Sequence, residues 1–182
     1  MSRLPLVDSE TAAPPVRELL EALPVRLSIF RLMAHAETCF RPLVALGTAI
    51  LSRQQLDPRL RELAILQAAQ LTPGRYEWIQ HVPMAEAAGV SSEEIAAVER
   101  GEWSADVLDA ATSAALRFGA DTLRHAKVSD ELFAELRSHF SAREIVELVL
   151  TLGYYSMLAR LTEVTDLEID EPGGVRIVEA LD

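Results

Sequence analysis

Along almost the whole chain the apolar residues return every three or four positions, and nowhere does a period-two alternation persist. That spacing gives a helix one stripe to bury and would scatter apolar groups over both faces of a strand, so the chain reads as all-α. Punctuation residues bound the segments. Pro14 and Pro15 open a helix over "VRELLEAL" that Pro24 closes; "LSIFRLMAHAE" reads as the next, and "PLVALGTAILS" as another with Pro42 in its first turn. Asp57 and Pro58 supply cap and first residue for "PRLRELAILQAAQL", which is apolar around nearly its whole circumference after Glu62 and is therefore expected to be the buried central helix. "TPG" breaks it, and "RYEWIQHVPMAEAA" follows as far as a C-terminal Gly89. Capping boxes at Ser91/Glu94 and Ser141/Glu144 open two more helices. Between them the pattern predicts helices over about Ala105 to His125 and from Ser129 to about His139. The end of the chain, "DLEIDEPGGVRIVEALD", loses the periodicity and reads as an extended tail.

A chain of 182 residues is of single-domain size and can bury roughly 70% of its unfolded surface. Its net charge of −11 repels phosphate backbones and anionic bilayers, which argues against nucleic acid and membranes as partners. There is no apolar run of membrane-spanning length, and the first residues, "MSRLPLVDSE", lack the apolar segment of a secretory signal; the expected location is cytoplasmic. The single cysteine, Cys39, can make neither an internal disulfide nor a redox dithiol, and its neighbours suggest a buried small apolar residue.

The stretch "TPGRYEWIQH" carries the chemistry. Glu77 and His81 are four apart and share a helix face just beyond a break, flanked by Tyr76 and Trp78, whose rings can wall a pocket. Pro83, in the same helix, removes a hydrogen bond beside His81. A carboxylate next to an imidazole fixes its tautomer and raises its proton affinity while apolar walls penalise its charge; a histidine balanced between the two suits general acid–base work. The other reading of the pair is a surface salt bridge. Glu62 sits early in the preceding apolar helix, and an antiparallel return would bring it near His81; alternatively it pairs with Arg59 or Arg61 near the helix start. Glu62, Glu77 and His81 make an acceptable ligand inventory for a metal, but no second histidine is placed with them, and no metal is expected. His35, His125 and His139 fall near helix ends and read as structural or surface groups; Tyr154 and Tyr155 lie on the last apolar helix and read as core.

With these residues in view, the chain resembles the carboxymuconolactone decarboxylase superfamily, which includes the alkylhydroperoxidase-like proteins. The similarity is detailed over about Asp57 to Gly101 and looser beyond it. Redox members carry a glutamate, a Cys-x-x-Cys and a histidine four residues after the second cysteine. In this register the glutamate falls on Glu62 and the histidine on His81, while Gly74 and Glu77 occupy the cysteine positions. Peroxide reduction needs a thiolate and a resolving thiol, so the redox branch does not fit. The decarboxylase branch, with Glu-x-x-x-His as in "EWIQHV" and a junction like "AGVSSEEI", is closer. The resemblance implies an alkylhydroperoxidase-like helical bundle with an N-terminal extension over 1–54, a core over 55–162 and a tail over 163–182, assembled as a homo-trimer or homo-hexamer around cofactor-free pockets. It also implies acid–base chemistry on a small carboxylated or lactone-like carbonyl compound: decarboxylation, isomerisation or lactone opening. In that scheme His81 moves the proton, Glu77 orients it, Glu62 completes a relay, Tyr76 and Trp78 exclude water, and Arg75 is the nearest cation for an anionic substrate. The alternative is a non-catalytic oligomeric binder or scaffold of the same fold.

Overall fold

The computed structural model describes residues 2–180. These form helices α1 (Pro14–Ala22), α2 (Ser28–Met33), α3 (Glu37–Arg53), α4 (Pro58–Leu71), α5 (Arg75–Ala87), α6 (Ser92–Glu99), α7 (Ala110–His125), α8 (Asp130–His139), α9 (Ala142–Val164) and α10 (Gly174–Glu179), with no strand among the described residues. The architecture is all-α, as the periodicity requires. The axis of the fold is α4. Every residue from Leu60 to Ala69 is buried, and the helix packs against α5, α6, α7 and α9. Asp57 caps it by accepting from the Leu60 amide at 3.1 Å, a contact worth about 1 kcal/mol. Ser91, Ser129 and Ser141 cap α6, α8 and α9 as the sequence indicates, the first and last as full capping boxes. Gly89 takes φ +88 at the end of α5, a left-handed conformation that costs glycine little.

Two apolar clusters flank α4. One joins α1–α3 and α9 through residues such as Leu32, Phe40, Ile50, Ile65 and Leu152; the other gathers Leu63, Leu66, Val98 and Leu116 toward α6 and α7. The α4–α5 turn sets the position of the site. Thr72 and Gly74 donate back to the carbonyls of Ala68 and Ala69 at 3.0 and 2.7 Å, closing α4 and sending α5 back alongside it. Glu62 lies ten positions before Thr72 and His81 nine after it, so at the common rise of about 1.5 Å per residue the two reach the same level on neighbouring helices.

Several expectations are corrected. Helix α3 begins at Glu37 and runs through Pro42, which therefore sits in its interior rather than its first turn. Helix α7 begins at Ala110, capped by Asp109 accepting from Thr112 at 2.7 Å; a carboxylate cap outweighs the apolar pattern that suggested a start near Ala105. Cys39 is exposed on α3, not buried. The tail is not wholly extended: α10 forms within it and packs on α5. Helix α9 is long and apolar enough, by length and composition, to cross a membrane, which the sequence reading did not expect; 56% of that stretch is buried, as in a core helix.

Candidate active site

Near the level set by the α4–α5 turn, helices α2, α3, α5 and α9 leave a cavity of about 120 Å³, with Gly174 and Ile177 of α10 at its end. Its walls are largely aliphatic and aromatic, including Leu27, Ile29, Phe30, Met33, Leu51 and Leu158. His81, Glu77, Gln80 and the tyrosines 76, 154 and 155 supply most of its polar groups.

His81, only 7% exposed, directs Nδ1 to Oε2 of Glu62 at 2.8 Å. The other oxygen of Glu62 accepts from Nε of Arg61 at 3.2 Å, so the 1%-exposed carboxylate lies between a guanidinium and an imidazole. Glu62 does not line the cavity; it stands behind the ring and borders, with Arg61, a second hollow of about 440 Å³ toward α10. With Nδ1 committed to Glu62, the tautomer that carries the proton on Nδ1 leaves the Nε2 lone pair for the cavity that His81 lines. Nε2 makes no hydrogen bond among the described residues. The ring is also held from the side: Tyr155 meets it edge-on, centroids 4.7 Å apart at 85°.

The sequence pairs Glu77 with His81 by helical spacing, and both are buried on α5 facing the cavity, but no hydrogen bond joins them. Both oxygens of Glu77 instead accept from the Thr162 hydroxyl of α9, at 3.1 and 3.0 Å. Burial pushes the Glu77 carboxyl above the usual carboxylate range, against the lowering effect of its own backbone amide, Thr162 and the nearby imidazole. Orientation of His81 therefore belongs to Glu62, and Glu77 is a second buried carboxyl on the cavity wall. Thr162 gives no local signal in the sequence, lying 85 residues from its partner.

Tyr76 lines the cavity, but its hydroxyl is committed to Oδ2 of Asp170 at 2.6 Å; burial, and then that bond, hold the phenol well above its ordinary value. Asp170 also accepts from the amide and hydroxyl of Ser28 at 2.6 and 2.8 Å, and Gln80 donates to the Asp170 carbonyl at 3.0 Å while accepting from the Gly173 amide at 2.9 Å. These contacts bind the segment before α10 across α5 and the start of α2. Trp78 and Arg75 are not at the cavity. Both line a shallow surface depression by Pro73 and Gly74, and Trp78 packs on the second apolar cluster. Among the described residues no group of three or more His, Cys, Asp or Glu is placed to hold a metal ion.

The comparisons agree with the all-α fold. The model of the carboxymuconolactone decarboxylase family matches residues 38–121, which run from the start of α3 to the middle of α7. No curated protein matches the chain. Among solved structures, an alkylhydroperoxidase AhpD core, peroxidase-related protein from Ralstonia eutropha JMP134, superposes with a TM-score of 0.79 at 17% identity over 97% of this chain and 95% of that one. A peroxidase-related protein from Silicibacter sp. TM1040 gives 0.75 at 19% identity over 97% and 94%. The debrominase Bmp8 in complex with 2,3,4-tribromopyrrole gives 0.71 at 17% identity over 100% and 96%.

Proposed function

Because the chain belongs to the carboxymuconolactone decarboxylase superfamily, with an alkylhydroperoxidase-like fold, we propose that it is an acid–base enzyme acting on a small carbonyl compound held in the α2–α3–α5–α9 cavity. The observation that carries this reading is the 2.8 Å bond from Glu62 to Nδ1 of a histidine that lines an apolar cavity. A buried carboxylate in that position fixes the tautomer and stabilises the imidazolium formed when Nε2 takes a proton. Removing a proton from carbon beside a carbonyl gives an enolate, and returning it to the same or a vinylogous carbon completes exchange or double-bond isomerisation. In decarboxylation the imidazolium instead protonates the carbanion left by carbon dioxide. Glu77 lends a second carboxyl on the wall. Apolar walls exclude water, which strengthens each of these interactions.

Thiol chemistry has no counterpart in this cavity. The chain's one cysteine, Cys39, is exposed on α3 and does not line it, and Gly74 and Glu77 stand where the resemblance places the redox cysteines. That a debrominase crystallised with a small halogenated pyrrole shares the fold supports small-molecule chemistry on such a scaffold. Assembly into three or six copies, implied by the resemblance, is part of the proposal.

Proton NMR in deuterated buffer tests it, with a panel of unsaturated lactones, ketones and beta-keto acids. Deuterium uptake beside the carbonyl, or loss of carbon dioxide, is expected with the wild type. His81→Gln should slow it by roughly 10²- to 10⁴-fold, the usual worth of a general acid–base group, and Glu62→Gln should slow it as well. A wild type that binds panel members without turning any over would favour a binding protein; turnover that survives His81→Gln would remove the histidine from the chemistry.

A further inference from the structure

All three tyrosines of the chain line the cavity, and their hydroxyls are used differently. Tyr76 donates to Asp170, and Tyr154 donates to the Leu43 carbonyl at 3.0 Å. Tyr155, only 4% exposed, makes no hydrogen bond through its hydroxyl among the described residues. That hydroxyl is not among the sealed-off polar atoms of the core, so it keeps access to the cavity that Tyr155 lines. Such a group on a cavity wall is a donor awaiting an acceptor from whatever fills the cavity. The Tyr155 ring stands edge-on to that of His81, and both residues line the same cavity.

Charge narrows the occupant further. No lysine or arginine lines the cavity, whereas Glu77 does. Arg61 is on the far side of Glu62, against the other hollow, and Arg75 borders the surface depression. A substrate carboxylate would lose its water beside an existing carboxyl with no lysine or arginine to receive it, an unfavourable arrangement for an anion.

We infer that the substrate is an uncharged carbonyl compound with an apolar body, a ketone, aldehyde, ester or lactone, whose oxygen accepts from the Tyr155 hydroxyl while an adjacent C–H faces His81 Nε2. This rests on the acid–base reading above and replaces its carboxylated substrates with neutral ones. In the step, the C–H bond breaks, its proton passes to Nε2, and the electron pair moves through carbon to the carbonyl oxygen. That enolate oxygen is held by the Tyr155 O–H; reprotonation by the imidazolium closes the cycle without a co-reactant. Burial, followed by the nearby Glu62, holds the Tyr155 phenol well above its ordinary value, so it donates as a neutral group throughout.

Two measurements test this separately from the acid–base reading. In the first, exchange is followed for an unsaturated five-membered lactone and for the same lactone bearing a carboxylate. The neutral compound should have a kcat/KM at least tenfold higher, and Tyr155→Phe should lower kcat on it roughly 10- to 10³-fold with little change in KM. The second uses benzaldehyde and benzoate, which have no exchangeable alpha hydrogen. Infrared difference spectra should show the benzaldehyde carbonyl stretch moved to lower frequency in wild type and His81→Gln but not in Tyr155→Phe, and benzoate should bind at least tenfold more weakly. A benzaldehyde shift that needs Tyr155, with no exchange on any substrate, would sink the acid–base reading and leave the hydroxyl's role standing. Exchange that prefers the carboxylated lactone, or a carbonyl stretch indifferent to Tyr155→Phe, would overturn the inference while leaving the histidine's role intact.

Discussion

Glu77 and His81 are neighbours by sequence, yet the carboxylate that bonds the ring comes from the preceding helix. Spacing of four on one helix shows which side chains share a face; it does not show which of two candidates on that face and the next has the shorter path to the ring. Glu62 reaches Nδ1 because α4 and α5 are antiparallel and level, and Glu77 turns away because a hydroxyl on α9 offers it a bond to both oxygens. Buried and without a guanidinium, Glu77 carries a raised pKa, and this has a consequence for stability. A carboxyl whose folded pKa lies above its unfolded one contributes stability that is complete below the unfolded value, near 4.3, and is lost as pH rises through the folded one. Glu77→Gln, which keeps an oxygen for Thr162, removes that loss. Urea unfolding of both proteins from pH 4 to pH 8 should show the variant gaining on the wild type across that window, with a slope of at most about 1.4 kcal/mol per pH unit, and then a constant difference. A difference independent of pH throughout would mean that Glu77 is not titrating in the fold. The trio of Glu62, Glu77 and His81 was legible in the sequence. The division of labour within it was not, since Thr162 and Tyr155 belong to a distant helix whose register against α5 no local pattern encodes.

At the scale of elements, the caps were the most legible feature, because a serine or aspartate three residues before an orphan amide is a local arrangement. Errors fell where tertiary contacts decide: α3 continues through Pro42, and α10 forms in a segment with Pro172, Gly173 and Gly174 because Gln80 and Met84 of α5 hold and contact its start. Two elements also approach closely at Gly74, where α5 begins against α9. Its φ of −79 is ordinary, so the need for glycine there is spatial. A Cβ at this position would lie 2.5 Å from the Ala159 Cβ and 2.9 Å from Oε2 of Glu77. Gly74→Cys, the first step toward the dithiol of redox relatives, should therefore destabilise the protein by roughly 1–3 kcal/mol, as overpacking does. Combining it with Ala159→Gly should recover at least half of that loss in thermal or urea unfolding. If Gly74→Cys is as stable as the wild type, the helices separate more readily than their contact implies, and packing is not what keeps a side chain out of this position.

For the whole molecule, α9 presents two faces of similar character. One packs against α4, α5 and α7, while the other leaves Val146, Leu150, Met157 and Val164 exposed, with Gly153 open between them. Their spacing of four, three, four and seven is that of a helix seam, and glycine at its centre lets another backbone approach closely. Leu46 of α3, a helix in contact with α9, is exposed as well. An exposed apolar stripe of this kind, interrupted by Arg160 between Met157 and Val164, is a candidate contact between copies. A net charge of −11 opposes both anionic bilayers and association of copies, so contact between copies must draw on apolar area and should strengthen as salt screens the repulsion. Light scattering during gel filtration, at tens of micromolar protein, should give a mass several times the 20.0 kDa of one chain and more complete assembly at higher salt. Replacing Leu150 and Met157 together by glutamate leaves the buried face untouched, so circular dichroism should be unchanged while the mass falls to that of a single chain. A wild type that stays monomeric at high salt, or an assembly unaffected by the double substitution, would place the seam of α9 outside any contact between copies. The cavity would then be complete within one chain.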